Sequence, residues 1–381
     1  MLSKLDDYPV HQTPEPLYRT ASSDRFTYDR YWYNAHAVDS AFYFGVGLCR
    51  YPNLGILDGS LSVVVDGRQY AFHASCRAPD EPTDLTIGPM SLQILEPMGR
   101  HRLVIESNET GIECDLVFTP KTGAMQEARQ TLGNHRHVIM DATRLDQFGS
   151  WEGTIRCEGN TIDVRGETTF GLKDRSWGIR PVGEPYTGGA PLDMYKANHF
   201  FWLPIHWPNE CTLAGFFEDG EGYQWHTDQG MLPSYESVEA IPGTVDPATT
   251  MWQGVVNYQL ALQPGTRQAN SGHFTMQNRD GQTLDIDIEM TGLLHRMKGL
   301  GYQHPEWGHG KWHGELKIGG ESWAVDDVDP LALENIHLQQ VVIAKRTLPD
   351  GTVETGHGVL EQMHIGPHAV LGFKDWFDGA S

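Results

Sequence analysis

Four segments gather the side chains that can move protons or hold a ligand. They span residues 29–59, 171–180, 199–230 and 297–316, and each mixes Trp, His and a carboxylate. In GLKDRSWGIR, Asp174 is followed by Arg175 and, three residues on, by Trp177. On a strand, Asp174 and Ser176 face one way, and Arg175 and Trp177 the other. A carboxyl beside indole in an apolar pocket keeps its proton to higher pH, because desolvation disfavours the anion. Such an acid can protonate an alkene, an ether or a carbonyl oxygen. The plainer alternative is a structural Asp174–Arg175 pair over a core Trp.

HPEWGHGKWH carries His304, Glu306, Trp307, His309 and His313. Glu306 is a candidate general acid or base, and His304 and Trp307 are candidate substrate contacts. The spacing matches no standard metal motif, and HExxH is absent. Histidines closing a loop at a barrel end are the alternative. His199, Trp202 and His206 form a further aromatic–His cluster that could line a pocket or serve only as structure. His226 and Asp228 make the HxD half of a two-His-one-carboxylate iron site, with His295 or His304 as the distal ligand. Two fixed positions in a chain of 18 His are a weak signal, so the expectation is no metal and no cofactor. No GxSxG elbow, Walker loop or GxGxxG after a strand occurs. A sugar-active enzyme with paired carboxylates stays open, but spacing selects no pair.

The elements that position these groups read as strands. Period-2 alternation runs through residues 60–72, 101–107, 111–120, 153–168, 211–219, 283–290 and 314–325. VVDGRQ, RCEGNT, EDGEGY, NRDGQT, KIGGES and LPDGTV read as tight turns. Residues 122–133 and 329–340 are the two places where a short helix is expected. The Gly- and Pro-rich stretch 180–193 reads as a joint, giving domains 1–185 and 186–381. The first 20 residues read as an arm on the surface.

Composition narrows the class. The 28 basic and 50 acidic residues leave a net charge of −22, which repels nucleic acid and anionic lipid. No stretch approaches the ~20 apolar residues of a membrane span, and no secretory signal is visible. Five scattered Cys read as free thiols of a cytoplasmic protein. Eleven Trp suit apolar cores and ligand pockets.

GLKDRSWGIR resembles the Gly…Asp-x-x-Trp-Gly signature of the carotenoid 1,2-hydratase (hydroxyneurosporene synthase) and AttH-like superfamily. YPNLGILDG, HPEWGHG and GHGVLEQMHIG resemble bacterial relatives within it, so the resemblance runs from about Arg30 to Phe373. It implies an all-β chain of two consecutive lipocalin-like (calycin) antiparallel barrels. It also implies cofactor-independent hydration or cyclisation, with an aspartate at the position of Asp174 as proton donor. The hydratase segment reads Tyr-His-Asp-His; here Leu172, Lys173, Asp174 and Arg175 stand in its place. What carries over is the acid, not carotenoid hydration itself.

The resulting expectation is a lyase, isomerase or cyclase acting on a bulky apolar terpenoid-, steroid- or polyketide-like molecule. Asp174 and Glu306 would be catalytic, and Arg175, Trp177, His199, Trp202, His206, His304 and Trp307 would contact substrate. The partner is that small molecule, with no nucleic acid, in a monomer or homodimer. A non-catalytic carrier of a hydrophobic ligand is the alternative.

Overall fold

The computed structural model describes residues 2–10, 16–134, 137–184, 197–252 and 254–381. They form an all-β protein of two curled antiparallel sheets, as in two barrels. Among the described residues, no helix is long and apolar enough to cross a membrane.

The first sheet runs in the order Leu316–Ala324, Arg68–Arg77, Ile56–Val65, Phe42–Tyr51, Thr27–Ala37, Thr169–Ile179, His137–Cys157, Ile112–Pro120, His101–Ile105, Met90–Ile94 and Thr86–Ile87. The second runs Thr250–Met251, Gln224–Pro233, Glu210–Glu218, Asn198–His206, Val353–Ile365, Leu338–Thr347, Thr283–Arg296, Ala269–Gln277 and Gly254–Leu262. Strand Leu316–Ala324, from late in the chain, thus completes the first sheet beside Arg68–Arg77. The expected boundary at 185/186 falls outside the described residues.

Strand periodicity sorts side chains into three large cores, beside three smaller clusters. Tyr31, Tyr33 and Ala35 face the first barrel's interior with Phe44, Phe72, Phe118 and Trp151. Phe201, Leu203 and Ile205 face the second with Phe216, Phe274 and Val342. The alternate positions meet between the sheets, where Trp32, Tyr43, Phe148 and Leu172 pack with Trp202, Leu213, Val341 and Val359. Thr27–Ala37 is therefore buried on both faces, which is why it reads as a run of large residues rather than a clean alternation. All five Cys are free and buried.

Four expectations are corrected. Residues 122–133 hold no helix; Met125–Gln126 and Gln130–Asn134 are short strands on the long strand His137–Cys157, so sheet pairing overrides a weak helical propensity. Residues 329–337 are turns, with Leu331 N donating to Asp329 Oδ1, before strand Leu338–Thr347 begins. KIGGES is not a hairpin turn: Gly319 and Gly320 lie inside a strand. A Cβ at Gly319 would come within 2.5 Å of the Trp307 indole, and one at Gly320 within 2.7 Å of Thr110.

The N-terminal arm is not confined to the surface. Asp7 is fully buried, with Lys173 Nζ at 3.0 Å and His101 Nε2 at 2.8 Å. Tyr31 Oη donates to the Asp7 carbonyl at 2.7 Å. Lys173, inward-facing on the strand that carries Asp174, requires this anion, because an unpaired buried ammonium is costly.

Candidate functional site

Three adjacent strands of the first sheet present one face to the seam between the sheets. Cross-strand register aligns Trp32, Asp174 and Asp146 in one row, and Arg30, Ser176 and Arg144 in the next. The second sheet answers with two rows of its own. Glu361, Trp202, Gly215 and Asp228 form one, and Met363, Phe200, Phe217 and His226 the other. All but Asp146 line one cavity, together with Glu127, Met140, Arg180, Tyr302 and His337. Asp146 is fully buried next to it. Because side-chain direction alternates along a strand, each of these pairs is spaced by two.

Glycine opens the space. Gly215 has no side chain between Trp202 and Asp228, and a Cβ there would lie 3.2 Å from the Trp202 indole. Gly178, φ +131°, allows the close approach of the Asp141 carbonyl, which a Cβ would strike. The Trp-Gly half of the motif is thus a backbone requirement.

The aromatic walls meet at Trp32 and Trp202, one from each sheet, 5.6 Å apart and edge to face. Arg30 Nη1 donates to Tyr302 Oη at 2.6 Å, with its guanidinium 4.8 Å above the same ring. Glu361 is held on both oxygens, by His337 Nε2 and by Gln339 Nε2, each at 2.6 Å. Gln339 Oε1 accepts in turn from Tyr43 Oη at 2.6 Å. Asp174 Oδ1, Trp32 Nε1 and Arg30 Nη2 are buried without a protein hydrogen-bond partner. Such groups at a cavity wall are the ones free to meet a ligand.

Acidic groups crowd this wall. Burial raises Asp174 above the ordinary aspartate range, Arg144 and Arg30 pull it back, and Glu361 pushes it further up. Burial, then Asp228, pushes Glu127 up to about 8, against Arg144, whose Nη1 lies 3.4 Å from Glu127 Oε2. Burial, then Glu127 and Asp174, holds Asp146 well above its usual range. Carboxyls this close share protons rather than all ionising.

Of the residues singled out from sequence, Asp174, Trp202, His226 and Asp228 reach the cavity. Arg175 and Trp177 turn to the opposite face. Arg175 pairs with Asp29 and lies 4.2 Å over the Tyr31 ring, and Trp177 lines a separate groove beside the N-terminal arm. Glu306 is at the surface, bonded to Lys317. Trp307 stacks on His73, 5.3 Å away. His199 bonds the Pro367 carbonyl at 3.1 Å, and His206 packs on Phe148 and Phe170. Sequence reading missed Arg30, Glu127, Arg144, Tyr302 and Glu361, although Arg30 and Trp32 lie in the first of the four segments.

Among the described residues, two groups of His and carboxylate bring their ligand atoms within 4.8 Å of one another: Glu127, His226 and Asp228 at the cavity, and His73, His304 and Glu321 under the borrowed strand. The second cannot ligate as it stands. His304 Nδ1 accepts from the Glu306 and Trp307 amides at 3.0 and 2.8 Å. Its proton is therefore on Nε2, facing Glu321 Oε1 at 2.9 Å, and no lone pair is left there for a metal.

Comparison with known proteins fixes the family and the fold. The sequence matches the Family of unknown function (DUF8625) over residues 2–374 and belongs to it. No curated protein matches the sequence. Among solved structures, the chain is similar to an AttH-like protein of Nitrosomonas europaea, at 12% identity and a TM-score of 0.55, covering 89% of this chain and 92% of that one. It is also similar to kievitone hydratase from Nectria haematococca, at 10% identity and a TM-score of 0.51, covering 88% of each. CghA with Sch210972 gives 8% identity and a TM-score of 0.50, covering 89% of this chain and 88% of that one.

Proposed function

We propose that the cavity between the sheets is the active site of a lyase or isomerase in which Asp174 is the proton donor. The observation that carries this reading is Asp174 itself. It is a partly buried side chain whose Oδ1 is buried and unpaired, on the cavity wall with Trp32 and Trp202, with a raised affinity for its proton. Protonation of an alkene or a leaving oxygen leaves a cation on the substrate and a carboxylate on Asp174. The indole faces stabilise the cation, and Arg144 and Arg30 stabilise the carboxylate. Water then adds and gives up a proton to the Asp174 carboxylate, or the cation loses a proton to it, which yields hydration, dehydration, isomerisation or cyclisation and restores the acid.

The substrate is a small molecule with an apolar skeleton that fits Trp32, Phe200, Trp202 and Phe217. Its oxygen functions would be bound by Arg30, Tyr302 and Arg180. A fold shared with kievitone hydratase, and with CghA solved with a small molecule, Sch210972, supports this class of ligand and reaction.

The test starts from compounds retained by the protein when purified from its own host. A compound that wild-type protein converts should turn over about 10²–10⁴-fold more slowly with Asp174→Asn, while binding and thermal stability are kept. Full activity of Asp174→Asn would remove Asp174 from the chemistry. A retained compound recovered unchanged after long incubation would make the protein a carrier.

A further inference from the structure

We infer that Glu127, His226 and Asp228 form a binding site for one divalent transition-metal ion on the wall of the cavity. They converge from two elements, one in each sheet. His226 and Asp228 lie two apart on strand Gln224–Pro233, so their side chains share a face. Glu127 follows the short strand Met125–Gln126 of the other sheet. One ligand atom from each lies within 4.8 Å of the others, near enough for small side-chain rotations to bring all three onto one ion at bonds of about 2.0–2.2 Å.

The hydrogen-bond pattern points to a missing third party. Asp228 Oδ1 accepts from the Ala128 amide at 2.6 Å, which fixes the carboxylate. His226 Nε2 lies 2.6 Å from Asp228 Oδ2, yet the two lack hydrogen-bond geometry, and Nε2 is buried with no partner. With the His226 side chain about nine-tenths buried, its lone pair is not spent on solvent. Two polar atoms this close share either a proton or a cation.

Charge agrees with this geometry. Glu127, Asp146, Asp174, Asp228 and Glu361 face or back the cavity, against Arg30, Arg144 and Arg180. The excess of two carboxylates takes two protons or one divalent ion. Arg144 contacts only one oxygen of Glu127.

One imidazole and two carboxylates suit Zn²⁺, Mn²⁺ or Fe²⁺ better than Ca²⁺, which takes six to eight oxygens. Three protein ligands leave a coordination position open toward the cavity for water or a substrate oxygen. The site goes beyond the acid role of Asp174 and does not depend on it.

Calorimetric titration of chelator-treated protein with Zn²⁺ and with Mn²⁺ tests the site. One saturable ion per chain is expected. His226→Ala and Asp228→Asn should each weaken it by about 100-fold or more, with melting temperatures of the metal-free variants checked against wild type. Glu321→Gln should leave affinity unchanged. The visible spectrum of bound Co²⁺ should be lost in His226→Ala and kept in Asp174→Asn. Absence of saturable binding, or binding that Glu321→Gln removes and His226→Ala does not, overturns the assignment. Either result leaves the activity test of Asp174 standing.

Discussion

Asp174 owes its candidate role to its two neighbouring strands. Trp32 and Asp146 flank it in register, and Arg30 and Arg144 lie diagonally. A general acid works only while protonated, so activity falls as pH rises through its pKa. Arg144 is the strongest influence holding Asp174 down. Arg144→Gln should therefore move the descending limb of the rate–pH profile to higher pH. A limb that stays put or moves down would assign it to another group. Sequence alone named Asp174, and its alternation already set Trp177 on the other face. It could not say which indoles face Asp174, because Trp32 and Trp202 come from two different sheets. Glu306 lies at the surface with Lys317 and not on the cavity wall: His and Trp neighbours along the chain do not make a cavity.

At the scale of elements, hairpins were the most legible feature. VVDGRQ turns at Asp66 and Gly67, φ +51° and +71°, as Asp-Gly between alternating strands predicts. KIGGES failed because a Gly pair also marks room for a neighbour, here Trp307 and Thr110. The strand that contains it is clasped to the first sheet by Glu321, which meets His73 Nε2 at 3.2 Å and His304 Nε2 at 2.9 Å.

Burial tends to raise the Glu321 pKa, but hydrogen bonds from His304 and His73 outweigh it and hold the carboxyl well below its usual range. A depressed folded pKa contributes stability above the unfolded value, and that stability is lost as pH falls. Glu321→Gln should therefore melt below wild type at pH 7, with a deficit that starts to shrink only below about pH 4.3 and closes well under that value. An equal deficit at both pH values would show that the carboxylate charge is not what holds the strand.

Across the whole molecule, the two sheets share more than a seam. The packing of Trp32 and Leu172 against Trp202 and Val359 joins their outer faces. Gln69 donates to the Arg296 carbonyl at 2.8 Å, and Asn34 to Gln339 at 3.2 Å. Both sheets should unfold in one calorimetric transition, with the calorimetric enthalpy equal to the van't Hoff value. Two resolved transitions would show the halves to be independent. The all-β class was legible because each strand carries its own alternation and turns. The exchange of a strand between halves was not, since no local pattern states which edge a strand will join.

That exchange sets an order of events during synthesis. The edge of Arg68–Arg77 emerges from the ribosome early, while its partner Leu316–Ala324 is still to be translated. For most of that time a long edge strand with open backbone donors and acceptors is a template for the wrong neighbour. Nascent chains halted before residue 316 should accordingly be the ones that call on chaperones, and translation speed over the second half becomes a determinant of how much native protein is made.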